Sequence, residues 1–174
     1  MNTRVLVLLS LIVGIGFVLH YVIPPVLFGM KPDMSLAMMF LGIILFPQVR
    51  YVLLLSLLTG FVSALTTGFP MGQIINMIEK PITAFIFLAL FLLVKNLSKH
   101  LITVAGLTLV GTIISGSVFL ALGLYIVNVQ IGAGFFALFA ANVLPATILN
   151  TIVIVILYPV VQGLVRRNQL TLSS

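Results

Sequence analysis

The sequence predicts an all-α polytopic membrane protein, a bundle of six transmembrane helices. Three observations carry this expectation. Hydrophobic residues make up 62% of the chain and charged residues 6%, against roughly 25% charged in an ordinary soluble domain. The apolar runs are continuous, whereas the strands of a membrane barrel alternate over segments of ~10 residues. The 174 residues leave room for about six spans of ~20 residues with short connections. No polar stretch is long enough for an aqueous domain, so residues 1–174 are read as one six-helix transmembrane domain.

Charges, prolines and glycines mark off the elements. The first span runs from about Val5 to Ile23 and stops at Pro24-Pro25. Its basic start and apolar centre are those of a signal peptide. The run is long, however, and has no clear small-x-small cleavage site, so a retained helix is expected. The second span starts near Pro32 and ends at Phe46-Pro47, and the third covers Tyr51 to about Thr66. The fourth, "ITAFIFLALFLLV", ends at Lys95, and its start is open: either before Pro81, or after "KP" with Pro81 near the first turn, where a missing N–H costs little. The fifth covers Leu101 to about Val127 and the sixth about Phe135 to Val165.

Orientation follows from lysine and arginine in the short connections. With the amino terminus inside, the inner side holds Arg4, Arg50, Lys95, Lys99, Arg166 and Arg167, and the outer side only Lys31 and Lys80. A multi-pass membrane protein with both termini cytoplasmic is expected. The net charge of +6 is scattered between apolar runs, which suits orientation in a bilayer and gives no reason to expect nucleic acid. The only acidic residues, Asp33 and Glu79, each lie beside an outer lysine, in "GMKPDM" and "MIEKP". Ser10 and Gly14 share a face of the first span and permit close backbone approach. That face serves either packing within the bundle or docking of a second membrane protein. Gly106, Gly111, Ser115, Gly116, Ala121 and Gly123 give the fifth span another such surface.

No catalytic arrangement emerges, and no enzyme activity is expected. There is no phosphate-binding loop with its lysine. His20 and His100 have no companions at metal-ligand spacing and the chain has no cysteine, so neither metal nor cofactor is expected. His20 is a minor candidate for lining a cavity, and with scattered serines it makes no credible protease pair. The polar residues gather toward the outer side instead. If residues 73–80 are helical, Gln73, Asn76 and Lys80 share a face. Asn142 and Asn150, with Ala146 between them, share another in the sixth span, and an amide facing lipid is costly. Pro145 is expected to open the backbone there.

These residues suit a zwitterion. Lys31 or Lys80 would hold a carboxylate and Asp33 or Glu79 an ammonium, with Gln73, Asn76, Asn142 and Asn150 as further substrate contacts. Phe28, Phe69, Tyr125 and Phe136 would flank the cavity, each also suited to anchor at the interface. The competing reading makes Asp33 a helix-terminal charge complementing the positive end of the second span.

At "IPPVLFGMKPDMSLAMMFLGIILFP" and "SALTTGFPMGQIINMIEKPITAF" the chain resembles the small tryptophan transport proteins of Gram-positive bacteria, over essentially its full length. That family is similar to the substrate-binding S-components of energy-coupling-factor (ECF) transporters, six-helix proteins whose extracellular loops close over the ligand. The resemblance, rather than composition or spacing, implies tryptophan as substrate. S-components commonly carry Ala-x-x-x-Ala in the first span to dock their membrane partner, and Ser10 and Gly14 are the nearest match here. The resemblance thus implies an ECF-type transmembrane coupling protein and ATPases as partners. Tryptophan uptake is the leading expectation, driven either by such partners or by proton exchange at Asp33 or Glu79. The alternatives are a substrate-binding subunit for another small nutrient and a non-transporting assembly or regulatory subunit.

Overall fold

A computed structural model describes residues 2–24, 33–96, 100–130 and 132–167. Among them all regular structure is helical: α1 (Thr3–Val22), α2 (Met34–Leu45), α3 (Val49–Thr66), α4 (Gly72–Val94), α5 (Leu101–Ala121), α6 (Phe135–Leu138) and α7 (Leu144–Arg167). A π-helical turn, Leu122–Ile126, prolongs α5, and another, Phe139–Val143, joins α6 to α7. The chain is a multi-pass membrane protein. Five of its helical stretches are long and apolar enough to cross a bilayer: α1, α3, α4, Leu101–Ile126 and Phe135–Val165.

The second helix is the exception, and the rest of the bundle is arranged around it. At 12 residues α2 is about 18 Å long, well short of the ~30 Å hydrocarbon core. Every residue from Met34 to Ile44 is buried, in contact with α1, α3, α4, α5 and α7. Enclosed on all sides, it has no lipid thickness to match, and its irregular ends lie in protein, where such backbone is tolerated.

The remaining helices each bury one face. In α1 that face is Val5, Leu9, Ile12, Gly16 and His20, steps of three and four residues. Ser10 and Gly14 lie on the other side: the Ser10 hydroxyl donates to the Leu6 carbonyl of its own helix, and a methyl group added at Gly14 would meet nothing within 4 Å. Among the described residues they take no part in packing within the bundle. Glycines on two other helices do. Gly60 of α3 lets the backbone of α4 approach at Asn76 and Met77, and Gly111 of α5 faces the rings of Phe40 and Phe87.

The fourth helix begins nine residues before Pro81, after Met71 in the left-handed conformation (φ 57°). Pro81 therefore lies in the helix interior and not in the first turn, so of the two starts that the sequence leaves open the earlier one holds. The segment from Gly72 to Lys80 is wall and not outer connection, because one face of it, Gly72, Ile75, Asn76, Glu79 and Lys80, is buried.

The Phe40 and Phe87 rings stack at 3.9 Å and are wholly buried, so neither can yield to a new side chain. The Cβ of Gly111→Ala would lie 2.7 Å from Phe87 and 2.9 Å from Phe40. This substitution is expected to destabilise the protein by about 1–3 kcal/mol, read as a lower unfolding temperature in detergent. Gly14→Ala should leave that temperature unchanged.

Candidate functional site

Lys80 is the centre of the site. Asn76, Glu79, Lys80 and Thr83 follow one another at steps of three, one and three along α4, and all four are buried. The Lys80 ammonium lies 2.6 Å from Asp33 Oδ2 and 2.6 Å from Glu79 Oε2. One cation thus joins two carboxylates from different helices. An ammonium has three donors, and this leaves a third for an acceptor in the space beside it.

Each carboxylate is held by further donors. Glu79 Oε1 accepts from Thr83 Oγ1 at 2.6 Å and from Ser115 Oγ of α5 at 2.5 Å. Asp33 is the N-cap of α2 and accepts from the Leu36 N–H. It also accepts from Ser35 Oγ and from Ser63 Oγ of α3 at 3.3 Å. His20 Nδ1, from the last turn of α1, lies 3.7 Å from Asp33 Oδ1. Side chains of α1, α2, α3, α4 and α5 therefore converge on one cluster. Ionised groups within a membrane persist when paired and hydrogen-bonded, and every member here has a partner.

A cavity of about 70 Å³ opens beside this cluster, room for several water-sized groups at ~10–15 Å³ each. Asp33, Lys80, Asn76 and His20 form its charged and polar end. Thr112, Ser115, Gly116 and Phe119 of α5 line one wall, and Asn142, Val143, Ala146 and Asn150 another. Thr67 and Phe69, from the α3–α4 connection, complete it. Phe69 and Phe119 meet edge to face with ring centres 5.2 Å apart, an apolar, aromatic part of the cavity wall.

Five of the eight residues that the sequence singles out line this cavity: Asp33, Asn76, Lys80, Asn142 and Asn150. Glu79 does not. It has no exposed surface and stands behind Lys80, holding the ammonium. Gln73, on the first turn of α4, is exposed and does not line the cavity, because it falls off the buried face formed by Gly72, Ile75, Asn76, Glu79 and Lys80. Lys31 and Phe28 lie outside the described residues. Tyr125 and Phe136 are exposed and do not line it.

The expected charge pairing is corrected as well. Lys80 serves Asp33 and Glu79 together, across two helices and not only beside its sequence neighbour. Asp33 caps α2 and also lines the cavity. The irregularity expected at Pro145 falls just before it, in the π-helical turn Phe139–Val143; such turns are frequent at functional sites. Sequence reasoning passed over Thr67, Thr112, Ser115 and Phe119, and gave His20 little weight. One signal was present: Thr108, Thr112 and Ser115 make a polar stripe at steps of four and three along an apolar helix.

Residues 2–166 match the family model described as "Tryptophan transporter TrpP". The chain belongs to the tryptophan transporter family. A "Probable tryptophan transport protein" of Bacillus subtilis is 54% identical over 97% of this chain and 96% of its own length. Proteins of the same name from Clostridium acetobutylicum and Clostridium perfringens are 43% and 32% identical, covering 95% and 97% of this chain and 96% and 97% of their own lengths. This is a family of transporters and not of enzymes. No solved structure matches the chain.

Removing the cation would leave two buried carboxylates facing each other. Lys80→Met is expected to cost about 3–5 kcal/mol of stability, measured by thermal unfolding in detergent. Adding Asp33→Asn and Glu79→Gln to it should recover most of the loss, because the remaining side chains are then neutral.

Proposed function

We propose that this protein takes up tryptophan across the bacterial cytoplasmic membrane, capturing it from outside in the cavity beside Lys80. The observation that carries the reading is the pairing of opposite charges with an aromatic surface in one cavity. It occurs in a chain whose relatives are named as tryptophan transport proteins. An amino acid presents a carboxylate and an ammonium on one carbon. Lys80, with its third donor, suits the carboxylate; Asp33, the member of the pair that lines the cavity, suits the ammonium. Phe69 and Phe119 suit a flat apolar side chain.

The charge cluster makes the site responsive to its ligand. A substrate carboxylate at Lys80 competes with Asp33, and a substrate ammonium at Asp33 competes with Lys80. A zwitterion therefore substitutes for both halves of the ion pair at once, so neither charge is left unpaired when it enters. A ligand with a single charge would strand one of them, at a cost of several kcal/mol.

For the energy source, the exposed Ser10/Gly14 face of α1 supports an ECF-type coupling protein and ATPases as partners. Small residues on a lipid-facing surface allow close helix–helix approach, and no other part of the bundle uses them. The excess of basic residues in the connections assigned to the inner side supports cytoplasmic termini.

Tryptophan is expected to raise the unfolding temperature of the purified protein, where singly charged analogues (tryptamine, indole-propionate) do not. Asp33→Asn should weaken tryptophan binding by at least about tenfold, while Gln73→Ala leaves it unchanged. Absence of any shift with all twenty amino acids would sink the transporter reading. Uptake into proteoliposomes by this chain alone, under a proton or sodium gradient, would exclude an obligatory ATPase partner.

A further inference from the structure

Two buried side-chain oxygens in the cavity have no hydrogen-bond partner among the described residues: Oδ1 of Asn142 and Oδ1 of Asn150. Both residues are more than nine-tenths buried, at 7% and 0% exposure. A buried acceptor without a donor costs about 1–3 kcal/mol, and two of them on residues that line one cavity call for a ligand that donates twice.

The amide orientations are set by their partners. Asn150 Nδ2 donates to Thr112 Oγ1 at 3.4 Å. That hydroxyl gives its single hydrogen to the Thr108 carbonyl, so toward Asn150 it can only accept. Asn142 Nδ2 donates to the Leu138 carbonyl at 3.2 Å, which likewise only accepts. Neither amide can flip without losing its bond, and both oxygens are left without a donor among the described residues.

The two oxygens sit in different surroundings. Leu138, the partner of Asn142, belongs to the apolar cluster that contains Phe69, Ile75, Leu120 and Val143. Thr112, the partner of Asn150, lies one turn along α5 from Ser115, which holds Glu79. Asn142 is thus bonded to the apolar cluster that holds Phe69, and Asn150 to a residue one turn from the one that holds Glu79. Eight residues of helix separate them by about 12 Å at ~1.5 Å per residue. Since Cα–Cβ bonds all tilt toward the helix N-terminus, the amides keep about that separation. A single nitrogen bridging two acceptors holds them no more than about 6 Å apart, twice the ~2.9 Å of one bond. One ammonium therefore does not serve both.

We infer that Asn142 is a specificity-determining residue that accepts a hydrogen bond from a donor on the aromatic side chain of the substrate, while Asn150 accepts from its ammonium end. Allowing ~3 Å for a bond at each end, the two donors of the ligand are separated by roughly 6 Å. The ammonium and ring N–H of tryptophan meet that requirement. Phenylalanine, of nearly the same apolar character, has no second donor and leaves Asn142 unpaired. The inference rests on the cavity being the tryptophan site, and it goes further by assigning the choice among aromatic amino acids to one oxygen atom.

The test compares tryptophan with 3-benzothienylalanine, in which sulfur replaces the ring N–H at nearly constant shape, by titration calorimetry on the purified full chain. Wild-type protein is expected to bind the analogue about ten- to a hundredfold more weakly. Asn142→Leu should lose this discrimination, and Asn142→Asp, which keeps an acceptor, should retain preference for tryptophan. Asn150→Leu should weaken both ligands alike. Equal affinity of the wild type for both ligands overturns the inference while leaving the tryptophan site standing, and needs no variant to fold. Retained discrimination in Asn142→Leu overturns it too. No binding of tryptophan at all overturns the inference together with the site.

Discussion

Everything in this bundle depends on one ammonium having two carboxylates within reach in a place where water does not compensate charge. Lys80, Glu79 and Asp33 form a set in which each member is tolerable only because of the others. That requirement fixes relations between helices which hydrophobic packing alone would leave loose. The start of α2 must lie level with the third turn of α4, and α3 must come close enough at Gly60 for Ser63 to reach Asp33. α5 must present Ser115 to the far side of Glu79. Apolar side chains fill the bundle, and the polar cluster sets its register. Buried polar groups used in this way trade stability for a defined arrangement.

Much of the architecture was legible beforehand. The limits of the last two spans, Leu101 to Val127 and Phe135 to Val165, lie within a residue or so of the helical stretches observed. Continuous apolarity bounded by charge and proline is a local property that survives folding. The carboxy-terminal half of α4 was equally clear. Its amino-terminal half was less so, because a glutamate, a lysine and a proline in succession have the local signature of a connection. What makes that segment a buried helix is a partner far away in sequence, Asp33, and no neighbouring residue announces it.

The site divides along the same line. Asp33, Asn76, Lys80, Asn142 and Asn150 could be found because charges and amides are rare and costly in such a chain. Thr112 and Ser115 were harder, since a hydroxyl in a membrane helix can satisfy itself on its own backbone carbonyl. Thr108 and Thr112 do so, and Ser115 reaches across to Glu79. Nothing in their spacing separates the two behaviours. His20 shows the opposite difficulty: a lone histidine near a helix end carries little information until Asp33 is found beside it.

The shortness of α2 has a consequence for how the protein is made. A 12-residue helix headed by an aspartate is a poor candidate for entering the bilayer as an independent span. Its neutralising lysine is synthesised later, as part of α4. The charge pair that joins α2 to α4 can therefore form only once the chain has been made as far as Lys80.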